Sequence, residues 1–355
     1  MLFPKLTYLK KYLLLLGCIA FCFINIQCKQ EKIIKLKVLQ FNIWQEGTVV
    51  ENGFQGIVDE IIRTDADLIA FSEVRNYNGV DFSKHILEAL KAKGHMYYAQ
   101  PSEDTGLLSR YPIVEQTALY PVTNDHGSIT KAIINILGVE VAFYSGHLDY
   151  LNCALYLPRG YDGSTWKKLD SIITDVDVIQ KNNLESMRDD AIDAFIADAE
   201  IEKQQGRLII YGGDNNEPSH LDWIEANKNL YDHNGVVINW RNTKTLENKG
   251  FKDAYREIYP NPLTHPGFTY PANNPLVPLS KLAWSPEADD RDRIDFIFYY
   301  PDERLQLKDS KILGPIGDIS RNERVLELTE DAIIEPLNIW PTDHKAVIAE
   351  FALKF

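Results

Sequence analysis

The chain has 355 residues, 45% of them hydrophobic and 25% charged, which excludes a disordered chain, a collagen-like repeat and a disulfide scaffold. With 37 Lys and Arg against 51 Asp and Glu the net charge is −14. An acidic surface repels long polyanions, so a nucleic-acid coat protein is excluded too, although an enzyme acting on one phosphate at a time is not.

Lys5, Lys10 and Lys11 precede an apolar stretch from Tyr12 to about Gln27, after which Cys28-Lys-Gln-Glu-Lys turns charged. The pattern predicts a signal peptide over residues 1–27, too short for a comfortable membrane span. Cys28 resembles the lipidated first residue of a bacterial lipoprotein, followed by a short tether over 28–33. Ile26-Gln27 departs from the small residues usual before such a cysteine. Leu16-Gly17-Cys18 is a nearer local match but sits mid-stretch, and an uncleaved anchor is the other reading. Each places the domain outside the cytoplasm, and lipidation would tether it to the cell envelope. Losing 1–27 removes three lysines and no acid, which leaves −17. Cys18 and Cys22 leave with the leader, so Cys153 has no disulfide partner and no second Cys for zinc; it reads as a small buried hydrophobe.

Beyond the leader, strands alternate with helices in one domain over 34–355. Strands are predicted at Ile33–Trp44, Asp67–Glu73, Arg207–Tyr211, Arg293–Tyr300 and Ala346–Leu353, and a hairpin at Lys131–Leu137 with Val139–Leu148 around Gly138. Helices are predicted at Phe54–Arg63, Phe82–Lys93 and Leu184–Lys203. Pro and Gly gather in two long connections, Asn152–Ser171 and Tyr259–Asp290, of a length that is uncommon unless the loop binds something.

The chemistry lies at strand ends: Asn42, Glu73, His147 with Asp149, Asp214 with Asn216, Asp343 with His344, and Asp295 inside Arg293-Ile-Asp-Phe. Strand ends collect at one sheet edge, so residues distant in sequence can converge there. Oxygen donors suit Mg²⁺, Mn²⁺ or Ca²⁺, and no zinc signature is present. Any single Asp or Asn after a strand is ordinarily a turn residue.

Order and context say more. Gln-Phe-Asn42-Ile-Trp, Phe-Ser-Glu73-Val, Gly106-Leu-Leu-Ser-Arg110-Tyr-Pro-Ile, Ser-Gly-His147-Leu-Asp, Gly-Gly-Asp214-Asn-Asn216-Glu-Pro-Ser, Arg293-Ile-Asp295-Phe-Ile and Pro-Thr-Asp343-His344 follow one another in that order. Together they resemble the endonuclease/exonuclease/phosphatase superfamily of metal-dependent phosphoesterases, from Leu36 to Phe351. The resemblance implies a DNase I-like α/β fold, a four-layer α/β sandwich with two mixed β-sheets face to face and helices outside. It implies a divalent metal, Mg²⁺ first, held by Asn42, Glu73 and Asp343. It also implies that Asp214 positions or deprotonates the attacking water and that Asn216 fixes the reacting phosphate or the metal. His147 and His344 would flank the scissile group, with Asp295 orienting His344. The chemistry agrees: phosphoester cleavage needs an aligned water and compensation for charge on the phosphoryl oxygens.

Two positions depart from the pattern: Trp44 stands where some nucleases carry an acid, and Asn215 where the family has Phe. Gly106–Ile113 reads as a structural hairpin with Arg110 in an ion pair, and Asp149 as a turn residue or a neighbour of the site. Arg159, Tyr161 and Trp166, in the loop after His147, and Thr269 are the candidate substrate-binding residues. The leading expectation is a phosphoesterase acting on a small, lipid-head-group or sugar phosphoester, with no stable nucleic-acid complex. An extracellular nuclease is the alternative, and a catalytically silent binding module on the same fold the third.

Overall fold

The computed structural model describes residues 32–123, 126–326 and 328–355. The predicted leader and Cys28 lie outside them. Among the described residues fourteen strands follow in chain order. They are β1 (Ile33–Asn42), β2 (Leu68–Val74), β3 (Asp104–Ser109), β4 (Ile113–Tyr120), β5 (Gly127–Ile136), β6 (Val139–Leu148) and β7 (Leu208–Asp214). Then come β8 (Lys252–Asp253), β9 (Asp295–Tyr299), β10 (Leu305–Leu313), β11 (Asp318–Ser320), β12 (Glu323–Val325), β13 (Ile333–Ile334) and β14 (Ala346–Lys354).

One six-stranded sheet runs β13-β10-β14-β1-β2-β3 and the other β4-β5-β6-β7-β9-β8, while β11 and β12 pair separately. Both sheets are mixed: β1 is parallel to β2 and antiparallel to β14, and β6 is parallel to β7, which is antiparallel to β9. Strand alternation makes the layers. Leu36 and Val38 of β1, Leu68 and Ala70 of β2, Val141 and Phe143 of β6, and Leu208 and Ile210 of β7 meet between the sheets. The intervening residues face outward. Leu39, Phe41, Ile69 and Phe71 pack on helices Gly53–Thr64 and Phe82–Ala92 through Ile57, Ile61, Ile86 and Leu90. On the other sheet Ala142, Tyr144, Ile209 and Tyr211 pack on helix Arg188–Gln204 through Ile192, Phe195 and Ile196. This is the expected four-layer sandwich.

Each inter-sheet row changes character along its strand. Leu36 and Val38 give way to Gln40 and Asn42, Val141 and Phe143 to Ser145 and His147, and Leu208 and Ile210 to Gly212 and Asp214. β1, β2, β6 and β7 end at this edge, whereas β9 begins there with Asp295 and β14 follows Asp343-His344. The sandwich is therefore apolar through its body and polar at one rim.

Gly106–Ile113 is not a hairpin. β3 pairs with β2 in the first sheet and β4 with β5 in the second, so the segment crosses between sheets. Arg110 does pair with Asp65, and its guanidinium lies over the Tyr97 ring. The sequence pattern also missed β10, where a register shift between Leu307 and Asp309 breaks the alternation.

Gly212 sets how closely the sheets meet near the rim. A Cβ there would lie 2.9 Å from Ala70 Cβ and 3.3 Å from Gln40 Cβ. Gly212→Val should therefore cost about 1–3 kcal/mol of overpacking; it is read as a lowered urea midpoint with an unchanged slope.

Candidate active site

Asn42, Glu73, His147, Asp214, Asn216, Asp343 and His344 converge at this rim, and all but Asn42 line one cleft of about 280 Å³. Glu73 arrives by a bulge: the β2–β3 register shifts between Ser72 and Val74, and Glu73 takes a left-handed φ of 70°. Bulges of this kind re-aim a side chain. Here the carboxylate accepts from Asn42 Nδ2 at 3.2 Å and from the Gln45 N–H at 3.1 Å.

Both histidines are fixed through Nδ1. His344 bonds Asp295 Oδ2 at 2.9 Å, and His147 bonds Asp104 Oδ1 at 2.8 Å. Each is left with Nε2 for another partner; His344 Nε2 lies 3.8 Å from Asp214 Oδ2. Burial alone would depress both imidazoles, but the carboxylates outweigh it. Asp104 raises His147 to about 9, and Asp295 with Asp214 raises His344 well above its ordinary value. Asp104 moves the other way, held below the usual carboxylate range by His147 and Arg75 in spite of its burial.

Asp104 is one residue that sequence reasoning missed. It begins β3 just before the Gly106 motif, and its acid at a strand start was the available signal. Gln40 was missed as well; its Nε2 donates to Asp295 Oδ1 at 2.9 Å.

Three carboxylates, Glu73, Asp214 and Asp343, share the cleft floor. Burial, and against the pull of His344 the charges of Glu73 and Asp214, push Asp343 up to about 7. Burial and Asp295 raise Asp214 likewise. Crowded oxygen donors of one sign suit a hard divalent cation. The tightest group of ligand atoms among the described residues joins Asp214, Asp295 and His344. Both Asp295 oxygens there already accept hydrogen bonds, from Gln40 and His344. Asp295 also does not line the cleft, whereas Glu73 and Asp343 do, so these two are the better-placed metal donors. Asn42, expected as a ligand, presents its NH₂ group instead: Nδ2 donates to Asp214 Oδ2 at 2.9 Å and to Glu73, while its carbonyl accepts from the Trp44 N–H at 2.9 Å. It bridges the carboxylates rather than adding a donor. Asn216 lies on the cleft wall, its Nδ2 donating to the Leu148 carbonyl at 2.9 Å and its N–H to Asp214 Oδ1 at 2.9 Å.

Residues 39–344 match the family model described as the Endonuclease/Exonuclease/phosphatase family. The chain belongs to that family. A relative from Caenorhabditis elegans, uncharacterized protein F14F9.5, is 31% identical over 323 residues, 89% of this chain and 91% of its own. The crystal structure of TDP2 from the same organism shares the fold with a TM-score of 0.51 at 14% identity, covering 90% of this chain and 75% of that one. A truncated form gives 0.50 at 15% identity, covering 90% and 97%.

The family's Phe position gains an explanation. Tyr211 Oη donates to Asn215 Oδ1 at 2.8 Å, and a Cβ on Gly146 or Gly213 would lie 2.1 or 2.5 Å from that hydroxyl. Asn215 is thus the polar mate of a tyrosine that occupies the space two glycines leave.

Of the four candidate substrate-binding residues, only Trp166 lines the cleft. Arg159 is buried; its Nη1 pairs with Asp292 Oδ2 at 2.6 Å, and it donates to the carbonyls of Tyr231 and Asp289. Tyr161 is buried, with its hydroxyl accepting from the Glu287 N–H at 3.0 Å. Thr269 is buried, and its Oγ1 accepts from the N–H groups of Ile294 and Asp295 at 3.0 and 3.1 Å, which positions Asp295. Partners 126 and 133 residues away, for Tyr161 and Arg159, could not be read from a loop sequence. Asp149 is a turn residue, accepting from the N–H groups of Leu151 and Met187. Arg188 straps the same loop through the carbonyls of Asp149, Leu151 and Asn152. Cys153 is buried as expected; its thiol, pushed up to about 12 by burial, donates to the Asn216 carbonyl at 3.2 Å.

The loops carry their own small core of Leu155, Tyr156, Tyr161, Trp223 and Trp240. His233 stacks on Trp223 with ring centroids 3.7 Å apart, and burial with the nearby Arg159 charge holds its pKa down to about 2. An unfolded histidine takes its proton near pH 6.5, so below that pH only the unfolded chain is protonated there and stability falls. The slope approaches about 1.4 kcal/mol per pH unit. His233→Phe should flatten the pH dependence of the unfolding free energy, measured by urea titration, between about pH 6.5 and 4 by that amount.

Proposed function

We propose that the chain is a divalent-metal-dependent hydrolase of a small, lipid-head-group or sugar phosphoester. The observation that carries this is the pair of carboxylate-held histidines, His147–Asp104 and His344–Asp295, beside the carboxylates of Glu73, Asp214 and Asp343 in one cleft. Glu73 and Asp343 would hold the metal, Mg²⁺ first on oxygen donors, with Mn²⁺ or Ca²⁺ the other options. When bound it would supply charge compensation for the phosphoryl oxygens. Asp214 orients the attacking water and takes its proton as the water oxygen bonds to phosphorus. The P–O bond to the alcohol breaks, and the imidazolium of His147 gives the departing oxygen a proton. His344 and the Asn216 amide hydrogen-bond the phosphoryl oxygens.

Net charge favours a compact substrate over a long polyanion, and Arg75 is the one Lys or Arg among the described residues lining the cleft. We also propose export with a lipid on Cys28. The hydrophobic leader and the charged residues after it support this, and Cys28→Ser should move the chain from the membrane pellet to the soluble fraction.

Purified protein should hydrolyse bis-p-nitrophenyl phosphate with Mg²⁺ or Mn²⁺ and lose that activity in EDTA. His344→Ala should lower kcat by about 10²–10⁴-fold and Asp104→Asn by about 10–100-fold. Plasmid DNA and sphingomyelin run beside it. Turnover that survives both EDTA and His344→Ala would overturn the reading, and cleavage of DNA alone would make the chain a nuclease.

A further inference from the structure

Beside the reacting residues, the two long connections build a wall of different chemistry. Tyr150 and Trp166 stack with centroids 6.1 Å apart and planes within 8°, and Trp166 continues onto Trp284 at 4.9 Å. All three line the cleft, and Trp284 is 46% exposed. The same cleft contains Asp290, a buried carboxylate whose Oδ2 accepts from Ser285 Oγ at 2.6 Å, one residue from Trp284.

Asp290 has no ion-pair partner among the described residues. Arg159, which could have served, is taken by Asp292, whose other oxygen accepts from Trp223 Nε1 at 2.9 Å. Arg75 is paired with Asp104 at 3.1 Å. The Tyr270 hydroxyl, on a side chain 8% exposed that lines this cleft, has no hydrogen-bond partner. Burial pushes the Asp290 carboxyl up to about 6, against the Ser285 hydrogen bond and the charge of Arg159, which lower it.

A buried acid with no ion pair of its own, sharing a cleft with stacked aromatic rings, is matched by a positive charge from outside. Aromatic faces attract cations through the ring quadrupole, and a substituted ammonium suits them because its charge is spread over apolar carbon. A small hydrated metal ion would want oxygen donors instead. We propose that this wall binds an ammonium group on the alcohol side of the substrate, so that the hydrolysed ester is an aminoalcohol or quaternary-ammonium phosphoester. The assignment rests on the phosphoesterase reading above. It also fits the acidic cleft, which gains rather than loses from a cationic substrate. The ammonium could belong to a lipid head group or to a soluble phosphoester, and the chemistry at the wall is the same for both.

The test titrates the intact protein with tetramethylammonium or choline chloride against sodium chloride at equal ionic strength, following tryptophan fluorescence and inhibition of bis-p-nitrophenyl phosphate hydrolysis. Saturable quenching at millimolar concentration and competitive inhibition are expected, both weakened on the order of tenfold by Asp290→Asn and by Trp284→Ala. Absence of saturation, or saturation unchanged in both variants, overturns the proposal. Ammonium binding without any ester turnover would leave this site standing and remove the hydrolase reading. Turnover without ammonium binding would do the reverse. Glycerophosphocholine and phosphatidylcholine vesicles then separate the soluble from the lipid source. Turnover of either above that of the uncharged ester with carbon in place of the ammonium nitrogen supports the proposal, and equal turnover overturns it.

Discussion

Repulsion among Glu73, Asp214 and Asp343 is the interaction around which the rim of the sandwich is organised. Like charges that share a partly desolvated cleft repel more strongly than in water, and here the groups come from three different strands or their ends. Nothing in the apolar body of the fold could tolerate them. The chain answers with two partial compensations: the NH₂ of Asn42 donates to both Glu73 and Asp214, and His344 sits against Asp214 and Asp343 with its charge held in place by Asp295. What remains uncompensated is the charge a divalent cation would meet.

The alternation of each strand makes this arrangement possible. A residue two positions beyond a core residue lies on the same face, so the inter-sheet row that packs the sandwich also delivers its last members to the rim. Asp214 is on the row of Leu208 and Ile210, and His147 on that of Val141 and Phe143. The placement of these rim residues is thus inherited from the packing register. A one-residue slip in β7 would bury Gly213 between the sheets and turn Asp214 outward. Glu73 is the exception, and it needs a bulge and a left-handed backbone to reach the same place.

Much of this was legible in the sequence. The strands carrying Glu73, His147 and Asp214 announced themselves by apolar runs that stop at an acid or an imidazole. The helices observed over 53–64 and 82–92 end within one residue of the predicted 54–63 and 82–93. What could not be read depended on partners far along the chain. Asp104 looks like a turn acid until β3 is known to lie near His147, 43 residues on. Arg159 and Thr269 look like loop decoration until Asp292 and Asp295 are brought beside them. β3 and β4 are separated by a short connection that conceals a change of sheet, and no local pattern distinguishes that from a hairpin.

Arg188 has a consequence for how the cleft is used. One guanidinium holds the carbonyls of Asp149, Leu151 and Asn152 and the Asn183 side chain, so the backbone around Tyr150 is tied down on both sides of the ring. The ordering entropy of that loop is met during folding, by a cation on a helix of the rigid scaffold, and not at the moment a ligand arrives. The Tyr150 end of the aromatic wall is accordingly preorganised. Tyr150 therefore meets any ligand of the cleft in a position fixed before the encounter.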